Sequence, residues 1–177
     1  MLPRERQNLF FSATMPKEIE ALAAQFLNDP VKVSVAPQST TAERVRQRAI
    51  FVNQAEKQAL LHLMLKSEEI DRALIFTRTK HGADRVVRFL EGAGIDAFAI
   101  HGNKSQGQRT TALQAFRQGK VKLLVATDIA ARGIDVSGVS HVINFEIPNV
   151  AEQYVHRIGR TARAGAEGIA ISFVADD

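Results

Sequence analysis

Residues 73–92 read ALIFTRTKHGADRVVRFLEG, and this stretch decides the fold. Residues 73–77 form a short apolar run with no polar alternation, as a strand buried on both faces requires. Ala83, Val86, Val87 and Leu90 then recur at the three- and four-residue spacing of one helix face, and Gly92 and Gly94 suit the end of that helix. The pattern repeats on either side. Residues 96–100, 121–126, 141–145 and 168–174 read as further strands, and residues 48–52 as another candidate upstream. Ser105, with Gln108 at capping-box distance, opens a helix whose Leu113 and Phe116 face inward. Leu60, Leu63 and Met64 line another helix, and one more starts near Val150. Strands alternating with helices predict an α/β fold with a mostly parallel sheet covered by helices on both faces. The ten phenylalanines fall mostly in apolar patterns and are expected in the core.

The chain has 177 residues and a formal net charge of +4, with 45% hydrophobic residues and no cysteine. It is long enough to bury an ordinary domain core, and its composition is globular rather than disordered. The absence of cysteine excludes a disulfide framework and thiolate metal sites, and it is compatible with a reducing, cytoplasmic setting. The five histidines lie far apart without ligand spacing, so no metal site is expected. No apolar run reaches the roughly 18 residues of a membrane span, and no membrane partner is expected.

Residues 1–36 stand outside the repeating unit. Residues 8–12 are a short apolar strand candidate, Ile19, Leu22, Ala23 and Phe26 make a helix stripe, and residues 31–35 are strand-like. Residues 36–42 form a polar linker. One strand, one helix and one strand cannot make a core. This strand-helix-strand fragment is therefore expected to be the end of a preceding domain, with the second domain over 37–177. An open apolar strand edge also allows a swapped or packed dimer through residues 1–36.

In parallel sheets, ligands collect at the carboxyl ends of the strands. Arg78-Thr79-Lys80, His101-Gly102-Asn103, Thr127-Asp128 and the turn at Pro148 would all sit on that edge. Residues 156–163 (HRIGRTAR) add three arginines, Arg157, Arg160 and Arg163, one every third residue. On a continuous helix they would share one face. Such a face suits polyphosphate or a nucleic-acid backbone, because the guanidinium is permanently charged and its planar fork matches phosphate oxygens; it is equally the composition of a solvated basic helix face.

Five motifs occur in order: Phe11-Ser12-Ala13-Thr14, residues 74–80 (LIFTRTK), His101-Gly102 with Gln106 and Arg109, residues 126–135 (ATDIAARGID), and residues 156–163. Together they resemble the second half of a DEAD-box RNA helicase, and residues 76–83 and 101–106 are similar to the RhlE branch of that family. The resemblance implies a RecA-like domain that works against a first, ATP-binding RecA-like domain. It implies that Arg160 and Arg163 are catalytic and reach the γ-phosphate of ATP, and that Gly133 and Asp135 also contact the nucleotide. Thr79, Gly102, Arg109 and Thr127 would bind the RNA backbone. Ser12, Thr14, Arg132, His156 and Arg157 would couple the two domains. ATP and Mg²⁺ would be held mainly by the first domain, and the partner would be single-stranded or short duplex RNA. The family often has glycine where this chain has Ala162, so a positive φ there would bear on how Arg163 is presented.

From the residues alone, Asp135 beside Gly133 could be a cap, and Ser12 and Thr14 could cap a strand end. The chain contains no G-x-x-x-x-G-K-[ST] phosphate loop and no acidic Mg²⁺ motif, so alone it is expected not to hydrolyse ATP. A DNA helicase or remodeller stays open, as does a non-catalytic nucleic-acid interaction module; a dinucleotide-binding enzyme is disfavoured because no G-x-G-x-x-G follows a strand.

Overall fold

A computed structural model describes residues 3, 5–12, 15–34, 44–132, 134, 136–163 and 166–175. The chain divides into two compact units, Met1–Pro37 and Gln38–Asp177.

Among its described residues the first unit has the helix α1 (Lys17–Phe26), in which Ala23 is buried. Asn8 donates from Nδ2 to the Phe26 carbonyl at 2.6 Å, tying the chain before α1 to the end of the helix. The expected strands are not formed. Residues 8–12 and 31–34 have no ladder partner, and Leu9, Phe11, Val31 and Val33 are 70–89% exposed. A strand exists only with a neighbour to complete its hydrogen bonds, and the described residues of this unit offer none. The expected linker over 36–42 lies outside the described residues.

In the second unit the strands are β1 (Val45–Phe51), β2 (Ala73–Phe76), β3 (Ala97–Ile100), β4 (Leu123–Ala126), β5 (His141–Asn144) and β6 (Gly168–Val174). They form one sheet in the order β1-β6-β5-β2-β4-β3, with every pairing parallel. The helices are α2 (Lys57–Ser67), α3 (Lys80–Gly92), α4 (Gln106–Arg117), the single turn α5 (Asp128–Ala131) and α6 (Ala151–Ile158). The central strands β2, β4 and β5 are buried at every position; β2 and β4 are uninterrupted apolar runs, while β5 buries His141 and Asn144 beside Val142 and Ile143.

The pleat divides the core. Ala73, Ile75, Leu123 and Val125 pack with α2 and α3; Leu74, Phe76, Leu124 and Ala126 pack with α4 and α5. Adjacent residues of one strand thus serve opposite layers. Thr79 caps α3 by accepting from the Gly82 N–H at 3.0 Å, and Ser105 and Gln108 form the expected capping box on α4. Two expectations are corrected. In α2, Leu60 and Met64 pack on the core as expected, together with Lys57 and Leu61, while Leu63 is 66% exposed. Of the phenylalanines, Phe76, Phe116, Phe145 and Phe173 are core, whereas Phe11, Phe26, Phe51 and Phe98 are exposed.

A tight crossing follows α6. Thr161 Oγ1 donates to the Val139 carbonyl, and Ala162 takes a left-handed backbone with φ 54°. A Cβ at Gly168, the first residue of β6, would overlap the Thr161 side chain and lie 2.8 Å from the Ala162 nitrogen. Gly168→Ala should therefore lower stability by about 1–3 kcal/mol, read as a shifted urea midpoint at unchanged m-value.

At the same amino end of the strands, His141 is 4% exposed and stands 3.7 Å from Glu68, whose carboxylate also takes two bonds from Arg48. Burial pushes the imidazole below its ordinary range, aided by Arg48 and opposed by Glu68. The folded state thus holds His141 neutral while the unfolded chain binds a proton near pH 6.5. Its contribution to stability is complete above that pH and is lost as pH falls toward the folded-state value. His141→Gln should flatten this dependence, checked by urea unfolding at about pH 7.5 and about pH 5.5.

Candidate functional site

The parallel sheet delivers every strand's carboxyl end to one edge. The turns after β2, β4 and β3 are neighbours there, since those strands are adjacent in that order. At about 4.8 Å between strands, Thr79, Thr127 and Gly102 fall along a row of roughly 10 Å.

The groups in this row differ in how far the fold itself employs them. Thr79 accepts from Gly82 as the α3 cap, which leaves its own O–H available to donate. Thr127 precedes α5 and makes no side-chain capping bond. Gly102 is exposed, and a Cβ there would meet nothing within 4 Å, so packing within the chain does not require glycine. Arg109, in the first turn of α4, has a buried Nε with no hydrogen-bond partner.

The loop carrying Gly102 is anchored by residues that sequence reasoning missed. Asp84 on α3 accepts from His101 Nε2 and Lys104 Nζ, both at 2.9 Å on Oδ1. Lys80 Nζ donates to Asn103 Oδ1 at 3.0 Å, and the Asn103 N–H donates to His101 Nδ1. The imidazole therefore carries its proton on Nε2 when neutral. Burial opposes ionisation of Asp84, but the bonds and charges of His101 and Lys104 outweigh it and hold the carboxyl below its usual value. The available signal was a lone acid, Asp84, among the basic residues opening α3.

The arginine motif does not form the continuous helical stripe its spacing suggested. Helix α6 ends at Ile158, with Gly159 as C-cap, so Arg160 and Arg163 lie in the turn beyond it. Arg157 is 1% exposed. Its Nε and Nη2 donate to the two oxygens of Asp128 at 2.6 and 2.7 Å, and Nη1 donates to Asn144 Oδ1 and to the Glu146 carbonyl. The guanidinium stands over the Phe76 ring, 5.0 Å from its centroid. The expectation of three surface charges on one face is corrected: this charge is internal, because Asp128 neutralises it.

Arg160 is half-buried and donates from Nη1 to the Ile134 carbonyl at 2.9 Å. It lines a small cleft with Asp128, Arg132, His156 and Arg157, and Arg132 and His156 are exposed at its rim. Arg163 is half-buried, outside this cleft lining, and donates from Nε to the Gly159 carbonyl. The fold thus brings Arg132, His156, Arg157 and Arg160 together. Gly133, Asp135 and Thr14 lie outside the described residues; Ser12 is exposed in the first unit. The described residues contain no cluster of acidic, histidine or cysteine side chains fit to hold a metal ion.

A cationic cleft beside a row of hydroxyl and open backbone positions is chemistry for a polyphosphate and a nucleic-acid backbone. Residues 55–165 match the family described as the helicase conserved C-terminal domain, and the chain belongs to that family. Its curated relatives are DEAD-box ATP-dependent RNA helicases: the chain is 44% identical over 173 residues to CshA of Geobacillus kaustophilus, covering 98% of this chain and 37% of that protein. It spans about a third of the length of such relatives. Among solved structures it is similar to S. cerevisiae Dbp5 bound to RNA and ADP BeF3, with a TM-score of 0.84 at 31% identity over 99% of this chain and 47% of that one. It is also similar to E. coli SrmB bound to regulator of ribonuclease activity A, with a TM-score of 0.70 at 42% identity over 74% of this chain and 78% of that one. The RecA-like α/β fold implied by the motifs is the fold observed.

Breaking the buried pair leaves an ionised partner behind. Arg157→Lys should destabilise the domain by about 3 kcal/mol, because an ammonium cannot fork to Asp128 while also reaching Asn144 and Glu146. Chemical denaturation is the measurement, and a shift under a few tenths of that size would contradict the role.

Proposed function

We propose that this chain is the second RecA-like half of a DEAD-box ATP-dependent RNA helicase, of the RhlE-like branch. In the whole protein, ATP and RNA would draw two RecA-like domains together, and closure would bend and separate short duplexes. Mg²⁺ would enter with the nucleotide on the first domain. The cleft shared by Arg132, His156 and Arg160 is the observation that carries this reading. Residues 8–12 and 31–34 support it: they join no ladder among the described residues, and Leu9, Phe11, Val31 and Val33 are exposed, as in strands belonging to the first domain's sheet.

The roles follow from the chemistry. Charge accumulates on the phosphoryl group as it transfers, and Arg160, assisted by Arg163, would neutralise it. Arg157, being buried, would act as a positioning residue that fixes the cleft rather than as a contact. Thr79, Gly102, Arg109 and Thr127 would hold successive RNA phosphates through hydroxyls, backbone N–H and the Arg109 guanidinium, none of which reads a base. One tyrosine and no tryptophan in the chain agree with backbone tracking rather than base stacking.

Arg160→Ala in the full-length protein should reduce RNA-stimulated ATP turnover by roughly 10³-fold or more while RNA binding without nucleotide persists. Normal turnover in that variant would refute the assignment. Equal stimulation by RNA and by DNA of the same sequence would favour the wider helicase class instead.

A further inference from the structure

Helix α3 carries a feature that neither the core nor the strand-end row uses. Ala83, Val86, Val87 and Leu90 face inward and are at most 9% exposed. At 100° per residue, His81, Arg85 and Arg88 fall within about 60° of one another on the opposite side. All three are exposed, and none makes an ion pair or hydrogen bond among the described residues. The helix has two acids. Asp84 is engaged by His101 and Lys104, and Glu91 forms no ion pair among the described residues. His81, Arg85 and Arg88 thus form a basic stripe with Asp84 and Glu91 flanking it on one side, and its two permanent guanidinium charges favour an anionic partner.

The stripe starts two residues after Thr79 and runs away from the strand-end edge. From His81 to Arg88 the helix rises about 10 Å, enough to face more than one phosphate of a single strand. Residues 80–92 include no exposed large apolar side chain, so the face offers cations without the anchors a protein partner needs.

We propose that His81, Arg85 and Arg88 form a second phosphate track, which takes up RNA extending beyond the Thr79–Thr127–Gly102 row. The inference rests on the helicase reading. The two guanidinium groups would meet phosphates through their forks and the imidazole would add an N–H, with no base recognition.

The test measures binding of the full-length protein to single-stranded RNAs of about 6 and about 16 nucleotides over a range of KCl, lengths that bracket a minimal single-strand site. Arg85→Gln, Arg88→Gln and the double variant are compared with the unaltered protein. For the longer RNA, the slope of log K against log salt should lose about 0.7 per arginine removed, so about 1.4 in the double variant. Binding of the shorter RNA, and ATP turnover stimulated by it, should be unchanged. An unchanged slope on the longer RNA overturns the track and leaves the helicase reading standing. Equal losses on both lengths also overturn it, because the arginines would then serve the strand-end site. If the unaltered protein bound neither RNA, the helicase reading would fail and the track with it.

Discussion

Arg157 is a charge removed from water, and the removal is costly: the effective penalty for a buried ion is several kcal/mol unless its hydrogen bonds are remade. Here they are remade by groups from three strands. Phe76 ends β2, Asp128 follows β4, and Asn144 and Glu146 belong to β5 and the turn after it. Asn144 in turn donates to Ser172 on β6 at 3.1 Å. The guanidinium is satisfied only when these strand ends hold fixed positions, so one side chain ties together four neighbouring strands where the candidate site is built. Glu146 carries the constraint further, because its carboxylate accepts the Arg78 N–H at 2.6 Å and so fixes the turn into α3.

The turn that carries Arg160 and Arg163 takes its geometry from the amino ends of β1, β5 and β6. A left-handed alanine costs roughly 1–2 kcal/mol relative to an ordinary backbone. The Ala162 methyl is nevertheless buried with Val45, Ile158 and Ala170, which recovers a comparable amount at about 0.8 kcal/mol per buried carbon. Glycine would relieve the backbone but lose that contact and loosen the unfolded chain. Alanine is thus a tolerable occupant of a position where the resemblance suggested glycine. The bare Gly168 opposite supplies the clearance that Thr161 and Ala162 need.

What could be read from sequence follows from how local each cause is. β2 and β4 are apolar throughout, β5 has Val142 and Ile143 at its centre, and α3 has its face written in four residues, so patterns within one element sufficed. β1 was placed three residues late, because an edge strand carries Arg46, Gln47 and Arg48 and lacks a continuous apolar run. The strands expected over 8–12 and 31–35 needed partners that no pattern in the segment supplies. The arginine stripe misled for two reasons. Three-residue spacing says which residues share a face only while the helix continues, and Gly159 was the visible sign that it does not. The burial of Arg157 depends on Asp128, 29 residues away, and no local pattern announces a partner at that distance.

The distinction that separates scaffold from site is whether a polar atom has been used up inside the fold. Arg157, Asp128, Asn144, Asp84 and His101 are committed to one another, and in water their pairing would be worth little; buried and mutually oriented, they hold turns in place. Thr127 at its strand end, Gly102 with empty space beside it and the Arg109 Nε with no partner are the opposite case. An unmet buried donor is a standing cost, and an open glycine forgoes backbone rigidity for no gain in packing. The open strand-end positions are intelligible if something outside the chain supplies the missing contact, and a row of them at the ends of adjacent parallel strands, braced from behind by saturated networks, is what a phosphate backbone laid across the sheet edge would complete.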